Sequence, residues 1–266
     1  MSPPLFRTVR EVERTVEDVP LLRRNGGWDL DLDGLERAFA GGAAAYLLCS
    51  PHNPLGKVFT AGELGAIAQL ARRYGVLVVA DEIHAPLTMP GAAFTPYLTI
   101  SDPLDGDGVA LCSASKAWNL PGLKCAIAIA GTERMRKRLV ALPPELPWRA
   151  GNLGVVASIA AFEQGGPWLR ALLDYLDRNR RLLSDLVARD LPGVRYVEPQ
   201  ASYLAWLDCA ALDLGADPVG VFLERGRVAL TRGRDFGPQA AAFVRVNAGT
   251  SAAILTEVVR RMRAAL

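Results

Sequence analysis

The chain has 266 residues, half of them apolar and 22% charged, with a formal net charge of +2. That is enough apolar material for a sizeable core in one or two domains. Acidic and basic residues are interleaved, which argues against a nucleic-acid surface or an acidic partner. No apolar run resembles a signal peptide or approaches the ~20 residues that span a bilayer.

In chain order, residues 1–42 read as polar and irregular, with a short helix around Leu35 to Ala40. Ala45 to Cys49 is an apolar strand that leads into the turn Ser50-Pro51-His52-Asn53-Pro54-Leu55-Gly56-Lys57. Thr60 and Glu63 form a capping box for a helix to Tyr74, which Gly75 is placed to end. Val76 to Ala80 is a second buried strand and delivers Asp81-Glu82-Ile83-His84. A loop-rich stretch follows to Gly108, where a third strand runs to Cys112 and delivers Ser113-Ala114-Ser115-Lys116. Lys124 to Ala130 reads as another strand and Thr132 to Leu142 as a helix whose Arg134, Arg136, Lys137 and Arg138 make a solvated basic face. Two helices are expected near 152–164 and 167–190. From Pro192 short strands near 194–197, 203–208, 227–230 and 242–247 alternate with helices near 217–226 and 251–265.

Three chemically rich loops after three apolar strands fit an open α/β sheet, whose ligands sit beyond the strand carboxyl ends. The change of character after the long helix suggests a larger domain over 1–170 and a smaller α/β domain over 171–266. Cys49, Cys112, Cys125 and Cys209 are scattered without metal-ligand spacing. A reduced compartment, with neither disulfide framework nor metal, is the expectation.

Lysine is scarce here, four against twenty-six arginines, and two of the four lie between 113 and 124. Arginine stays protonated and cannot form an imine, whereas lysine can once its pKa is lowered. Lys116 after a serine-flanked turn, with Lys124 eight residues on, suits a lysine linked to a phosphorylated aldehyde cofactor. The hydroxyls of Ser113 and Ser115 and the ammonium of Lys124 are placed to meet its phosphate.

These segments, together with Ser202-Tyr203-Leu204-Ala205-Trp206-Leu207-Asp208-Cys209, Phe236-Gly237 and Phe243-Val244-Arg245-Val246-Asn247, resemble fold-type I pyridoxal 5'-phosphate (PLP) enzymes. The superfamily is that of class I/II aminotransferases. Within it, the histidines of Pro-His-Asn-Pro and Asp-Glu-Ile-His favour the MalY/PatB group of cystathionine β-lyases, or C–S lyases. The resemblance covers nearly the whole chain but begins partway into the family's large domain. Roughly the first third of a family-length chain has no counterpart, and with it go a phosphate-binding loop, a ring-stacking aromatic and residues reaching a partner's site.

The resemblance implies a mostly parallel sheet flanked by helices plus a smaller C-terminal α/β domain, a cytoplasmic homodimer, PLP, and a small amino-acid substrate. It also implies roles. Asp81 would hold the pyridine nitrogen protonated, Asn53 would donate to the phenolic oxygen, and His84 stands where many aminotransferases place a tyrosine at that oxygen. Lys116 would hold the cofactor and then take the Cα proton. Arg245 would anchor the substrate carboxylate through two parallel bonds. Read singly, Asp81 is a turn cap, Asn53 a turn residue, His84 a buried structural histidine and Arg245 half of an internal ion pair. His52 reads as structural, Tyr203 and Trp206 as core or cleft wall, and Arg232 and Arg234 as solvated.

Three readings fit: a C–S β-lyase, an aminotransferase, and a catalytically silent remnant of the fold. Pyruvate, ammonia and a thiol mark the first. A new amino acid formed only with a keto-acid acceptor marks the second.

Overall fold

The computed structural model describes residues 3–24, 26–101, 106–215 and 217–266. The first forty residues are more regular than their polarity implies. Helix α1 (Pro3–Glu11) is followed by a hairpin of β1 (Leu22–Arg24) and β2 (Gly27–Asp29), then by α2 (Leu32–Ala40). Leu5 and Val9 recur one turn apart on α1, and Arg7 reaches Glu11 at 3.4 Å across the next. Gly26, at φ +77°, makes the hairpin turn that a side chain would strain. Asp31 caps α2 by accepting the Gly34 N–H at 2.9 Å.

The first large sheet has the order β3-β4-β5-β6, from β3 (Ala45–Cys49), β4 (Leu77–Asp81), β5 (Gly108–Cys112) and β6 (Ile127–Ala130). The first three are parallel, and β6 returns antiparallel to β5. Helix α3 (Ala61–Tyr74) opens on the Thr60–Glu63 capping box and closes at left-handed Gly75, as its sequence requires. Its Leu64, Ile67, Ala68 and Ala71 bury against Val78 and Ala80 of β4 and Leu35 and Phe39 of α2. The strand expected from Lys124 starts only at Ile127, because Lys124 is itself left-handed at φ 51° and turns the chain before pairing begins. The loop expected between Asp81 and Gly108 contains α4 (Tyr97–Ser101), and its residues 102–105 lie outside the described part.

Three helices follow, α5 (Glu133–Val140), α6 (Asn152–Gln164) and α7 (Gly166–Asp190). The basic cluster lies on α5, where Arg136 pairs with Glu133 and Arg134 with Asp107 at the surface. The second sheet has the order β7-β8-β10-β9 and is antiparallel throughout: β7 (Arg195–Tyr196), β8 (Leu204–Asp208), β9 (Thr231–Arg232) and β10 (Phe243–Asn247). Helices α8 (Pro218–Gly226) and α9 (Ala252–Ala264) cover it, and Leu207, Phe222, Val244, Leu255 and Met262 form its core. No strand forms at 227–230 as the sequence suggested. Arg227 caps α8 in the left-handed region, donating to the Leu223 carbonyl, and pairing starts at Thr231.

Helix α7 joins the two sheets. Leu176 packs with Leu87, Met89 and Ala117, whereas Leu183, Leu186 and Val187 enter the second core. Residues 199–202 make the other junction. The Gly56 carbonyl accepts from both Gln200 and Ala201, Met89 N donates to the Gln200 carbonyl, and Ser202 N donates to the Leu87 carbonyl. The loops after β3 and β4 are thereby fastened to the second sheet, which brings the carboxyl ends of both strands against it. Among the described residues, no helix is long and apolar enough to cross a membrane.

Candidate active site

Four elements deliver side chains to one place. The turn after β3 presents Asn53, the end of β4 presents Asp81 and His84, the turn after β5 presents Lys116, and β10 presents Arg245 from the second sheet. The closest link is between chain halves: Arg245 Nη1 donates to Asn53 Oδ1 at 2.9 Å. Its Nη2 donates to Thr231 Oγ1 at 3.3 Å, and the guanidinium lies 5.0 Å from the Phe236 ring centre. Among the described residues no carboxylate pairs with Arg245. The group is half-buried, and burial lowers its pKa. A desolvated cation held only by neutral acceptors and an arene favours an anion at its free edge.

With its amide oxygen turned to Arg245, Asn53 keeps its Nδ2 hydrogens for another acceptor. Its backbone N–H donates to Cys49 Sγ at 3.3 Å, and both Ser50–Pro51 and Asn53–Pro54 are cis. Gly56, at φ +63°, sits where any Cβ would strike Pro199 and the Ala201 carbonyl, so the turn closes only on glycine.

Asp81 is half-buried and accepts one backbone hydrogen bond, from Ile83 at 3.3 Å. Burial raises its pKa, and the positive charge of Lys116 works against that rise. His84 is 4% exposed, and its Nδ1 has no hydrogen-bond partner. Burial, then the charges of Lys116 and Arg245, lower its pKa to about 4, so it is neutral at pH 7. Its ring meets Tyr203 edge-on at 6.3 Å.

Lys116 lies in a turn tied down from both sides. Trp118 N donates to the Ala114 carbonyl, Trp118 Nε1 to the Gly165 carbonyl at 2.9 Å, and Trp168 Nε1 to the Ala117 carbonyl at 3.3 Å. Lys57 is unavailable for similar work, because its ammonium pairs with Glu63 at 2.8 Å. Ser113 and Ser115 meet with hydroxyls 2.7 Å apart, and Ser113 donates to the Cys125 carbonyl at 2.6 Å. Ser113 therefore spends its proton on Cys125, so Ser115 is the donor to the Ser113 oxygen and reaches another acceptor only by giving up that bond. Lys124 is exposed beside them.

His52 follows its structural reading: its ring meets Phe59 edge-on, and its backbone N–H closes the turn on the Lys57 carbonyl. Trp206 is buried and stacks on Phe243 at 5.2 Å, and Arg232 pairs with Asp217. Three neighbours of the site were given no role by the sequence reading. Thr231 and Phe236 hold Arg245, and Glu82 is buried with its carboxylate accepting the Tyr97 N–H at 2.7 Å. Glu82 and Phe236 stood within the motifs already quoted, whereas Thr231 left no signal.

The aminotransferase class I and II family model matches residues 7–262. The chain belongs to that family. It is 48% identical to a provisionally named cystathionine β-lyase of Mycobacterium leprae, over 99% of this chain and 69% of the relative. It is 34% identical to the cystathionine β-lyase PatB of Bacillus subtilis, again over 99% of this chain and 69% of PatB. Among solved structures, the PLP-bound C–S lyase of Staphylococcus hominis superposes with a TM-score of 0.91 at 26% identity, over 99% of this chain and 69% of that one. The mostly parallel sheet after which the site residues are arranged is thus the family's own.

Proposed function

We propose that this chain carries the site of a PLP-dependent carbon–sulfur β-lyase that cleaves cystathionine or a related S-substituted cysteine to a thiol, pyruvate and ammonia. The observation that carries the reading is the half-buried Arg245, which has no carboxylate of its own and is bonded to Asn53. The residues fit the cofactor. Among the described residues Asp81 accepts only the Ile83 N–H, at Oδ1, which leaves carboxylate lone pairs for a protonated ring nitrogen. Asn53 has a free amide donor, and the buried Nδ1 of His84 lacks a partner.

When bound, PLP supplies an electron sink for the carbon attached to the amino group. The protein's part is then positional and proton-handling. Lys116 Nζ would form the covalent link and, once released by the substrate amine, take the Cα proton. Asp81 would keep the ring nitrogen protonated. Ser115 and Lys124 would meet the phosphate, with Ser113 holding Ser115 in place. Arg245 would orient the substrate by its carboxylate, so that the Cα–H faces Lys116. Lys116 would then hold the abstracted proton while a thiolate departs from Cβ, and the remaining three carbons would be hydrolysed to pyruvate and ammonia. A cytoplasmic homodimer is part of this reading, as is a division into a cofactor-binding part and a smaller C-terminal one.

The test is the visible absorption of the purified, folded chain after PLP is added and the excess removed, with Lys116→Ala treated identically. A band in the parent that is absent from the variant supports the reading, and thiol release from cystathionine completes it. Amino-acid formation that needs a keto-acid acceptor would instead make the chain an aminotransferase. No band at all would overturn the assignment.

A further inference from the structure

Helix α7 turns one stripe inward, made of Leu176, Asn179, Leu183, Leu186 and Val187. These positions recur every three or four residues, the spacing of one helix face. Asn179 is the polar member of the stripe and is 2% exposed. An amide buried among leucines is costly unless its hydrogens are used. Both are used. Asn179 Nδ2 donates to the Ala248 carbonyl at 2.9 Å and to the Thr250 carbonyl at 2.7 Å. One turn earlier on α7, the Tyr175 hydroxyl accepts the Ala252 N–H at 3.1 Å.

Those three bonds hold the segment that leaves β10 just beyond Arg245. Asn247 ends the strand and its Oδ1 accepts the Gly249 N–H at 2.9 Å, while Ala248 N donates to the Tyr203 carbonyl at 2.8 Å. The same helix holds the turn of Lys116. Trp168 Nε1 donates to the Ala117 carbonyl at 3.3 Å, and Leu176 shares a buried cluster with Ala117. From Trp168 to Asn179 an α-helix rises about 16 Å. One stiff element therefore carries both the lysine turn and the end of the arginine strand. Arg245 itself is tied on its other side, to Asn53.

We propose that Asn179 is a positioning residue, which fixes the end of β10 to α7 and so sets where Arg245 holds a carboxylate relative to Lys116. The inference rests on the lyase reading and deepens it. The carboxylate and the proton that Lys116 takes belong to the same carbon, so the place of the acid decides whether the Cα–H faces Nζ. With alanine at 179 the Ala248 and Thr250 carbonyls lose their donor, and the turn after β10 shifts to find water. Arg245 then keeps its charge but loses its place. An amine without the acid is not oriented by Arg245 and loses little.

The test follows by NMR the exchange of the Cα proton of L-alanine and of L-alaninamide in heavy water, on the PLP-loaded chain. Lys116 Nζ takes the proton, trades it with solvent and returns a deuteron to the same carbon. The two probes differ only in acid against amide, and rates are counted per loaded site from the visible band. Asn179→Ala is expected to slow alanine about tenfold or more and alaninamide no more than about twofold. A merely structural loss slows both alike, so an equal loss, or none, overturns the proposal. If Asn179→Ala does not fold, Tyr175→Phe decides, because it frees only the Ala252 N–H of the same turn. It should lower the ratio of the two rates about threefold, and an unchanged ratio overturns the proposal. A parent that forms no band, or exchanges neither probe, overturns the lyase reading and this inference together. A parent that exchanges both, beside a variant that loses them equally, overturns the inference alone.

Discussion

Arg245 and Lys116 are half-buried cations with no carboxylate in ion-pair reach among the described residues, unlike several paired cations of the second sheet and the first turn. Arg23 and Arg195 converge on buried Asp208, Arg232 pairs with Asp217, and Lys57 with Glu63. An arginine fork at Arg245 offers two parallel donors to a carboxylate, which the single ammonium of a lysine cannot reproduce. Arg245→Lys should therefore raise KM for the amino-acid substrate about tenfold or more, with a smaller change in kcat, because the lost contact exists before and during the chemistry. Steady-state kinetics decide this, and an unchanged KM would remove Arg245 from substrate binding.

At the scale of elements, the loop after β4 holds two titrations of opposite sign. Burial, with help from the Asp81 charge, pushes Glu82 from 4.5 up to about 7, while His84 falls from 6.5 to about 4. The raised Glu82 contributes stability below pH 4.5 that is lost as pH rises through 7. The depressed His84 contributes stability above pH 6.5 that is lost as pH falls through 4. Between 4.5 and 6.5 their effects oppose, each with a slope of about 1.4 kcal/mol per pH unit. In Glu82→Gln the carboxyl's contribution disappears, so stability should fall more steeply than in the parent as pH drops from 6.5 to 4.5. Urea denaturation at the two ends of that window measures it, and parallel slopes would refute the pairing.

Elements and site were unequally legible in the sequence. Local signals did well: the Thr60–Glu63 box and Gly75 bound α3, and alternation placed β8 and β10 within a residue or so. The failures have two causes. Helix α1, the late start of β6 and the missing strand at 227–230 depend on left-handed residues such as Lys124 and Arg227, or on a helix too polar to stand out. The site's residue types were readable because their spacing is regular within each loop. Which of them touch was not. That Arg245 bonds Asn53 follows from how two sheets meet, and that Ser113 is spent on the Cys125 carbonyl follows from how the β5–β6 connection folds back.

Over the whole molecule, α6 is inside out. Gly154, Ser158 and Ala161 are its buried residues, while Leu153, Val156 and Ile159 are 74%, 60% and 52% exposed. Trp148, Ile127 and Ile129 extend the exposed apolar surface toward the β6 edge. A helix apolar on every face belongs inside a larger assembly, and patches of this kind mark contact surfaces. The parent chain is expected to sediment with a mass that rises with concentration, and Val156→Glu with Ile159→Lys to stay monomeric with an unchanged melting temperature. A parent that stays monomeric throughout would show that α6 tolerates water.

The hydrogen bond from Arg245 to Asn53 spans 192 positions of sequence. On the proposed reading it also spans two ligands, since one residue greets the substrate's acid and the other the cofactor's ring oxygen. An incoming carboxylate competes for the proton that Arg245 shares with Asn53, and the amide is then freer to lean toward the ring. Such an influence is reciprocal, so a change in the ring's charge alters the grip on the acid by the same factor. A carboxylate-bearing amine thus announces itself to the ring through one proton, and an amine of the same shape without the acid stays silent.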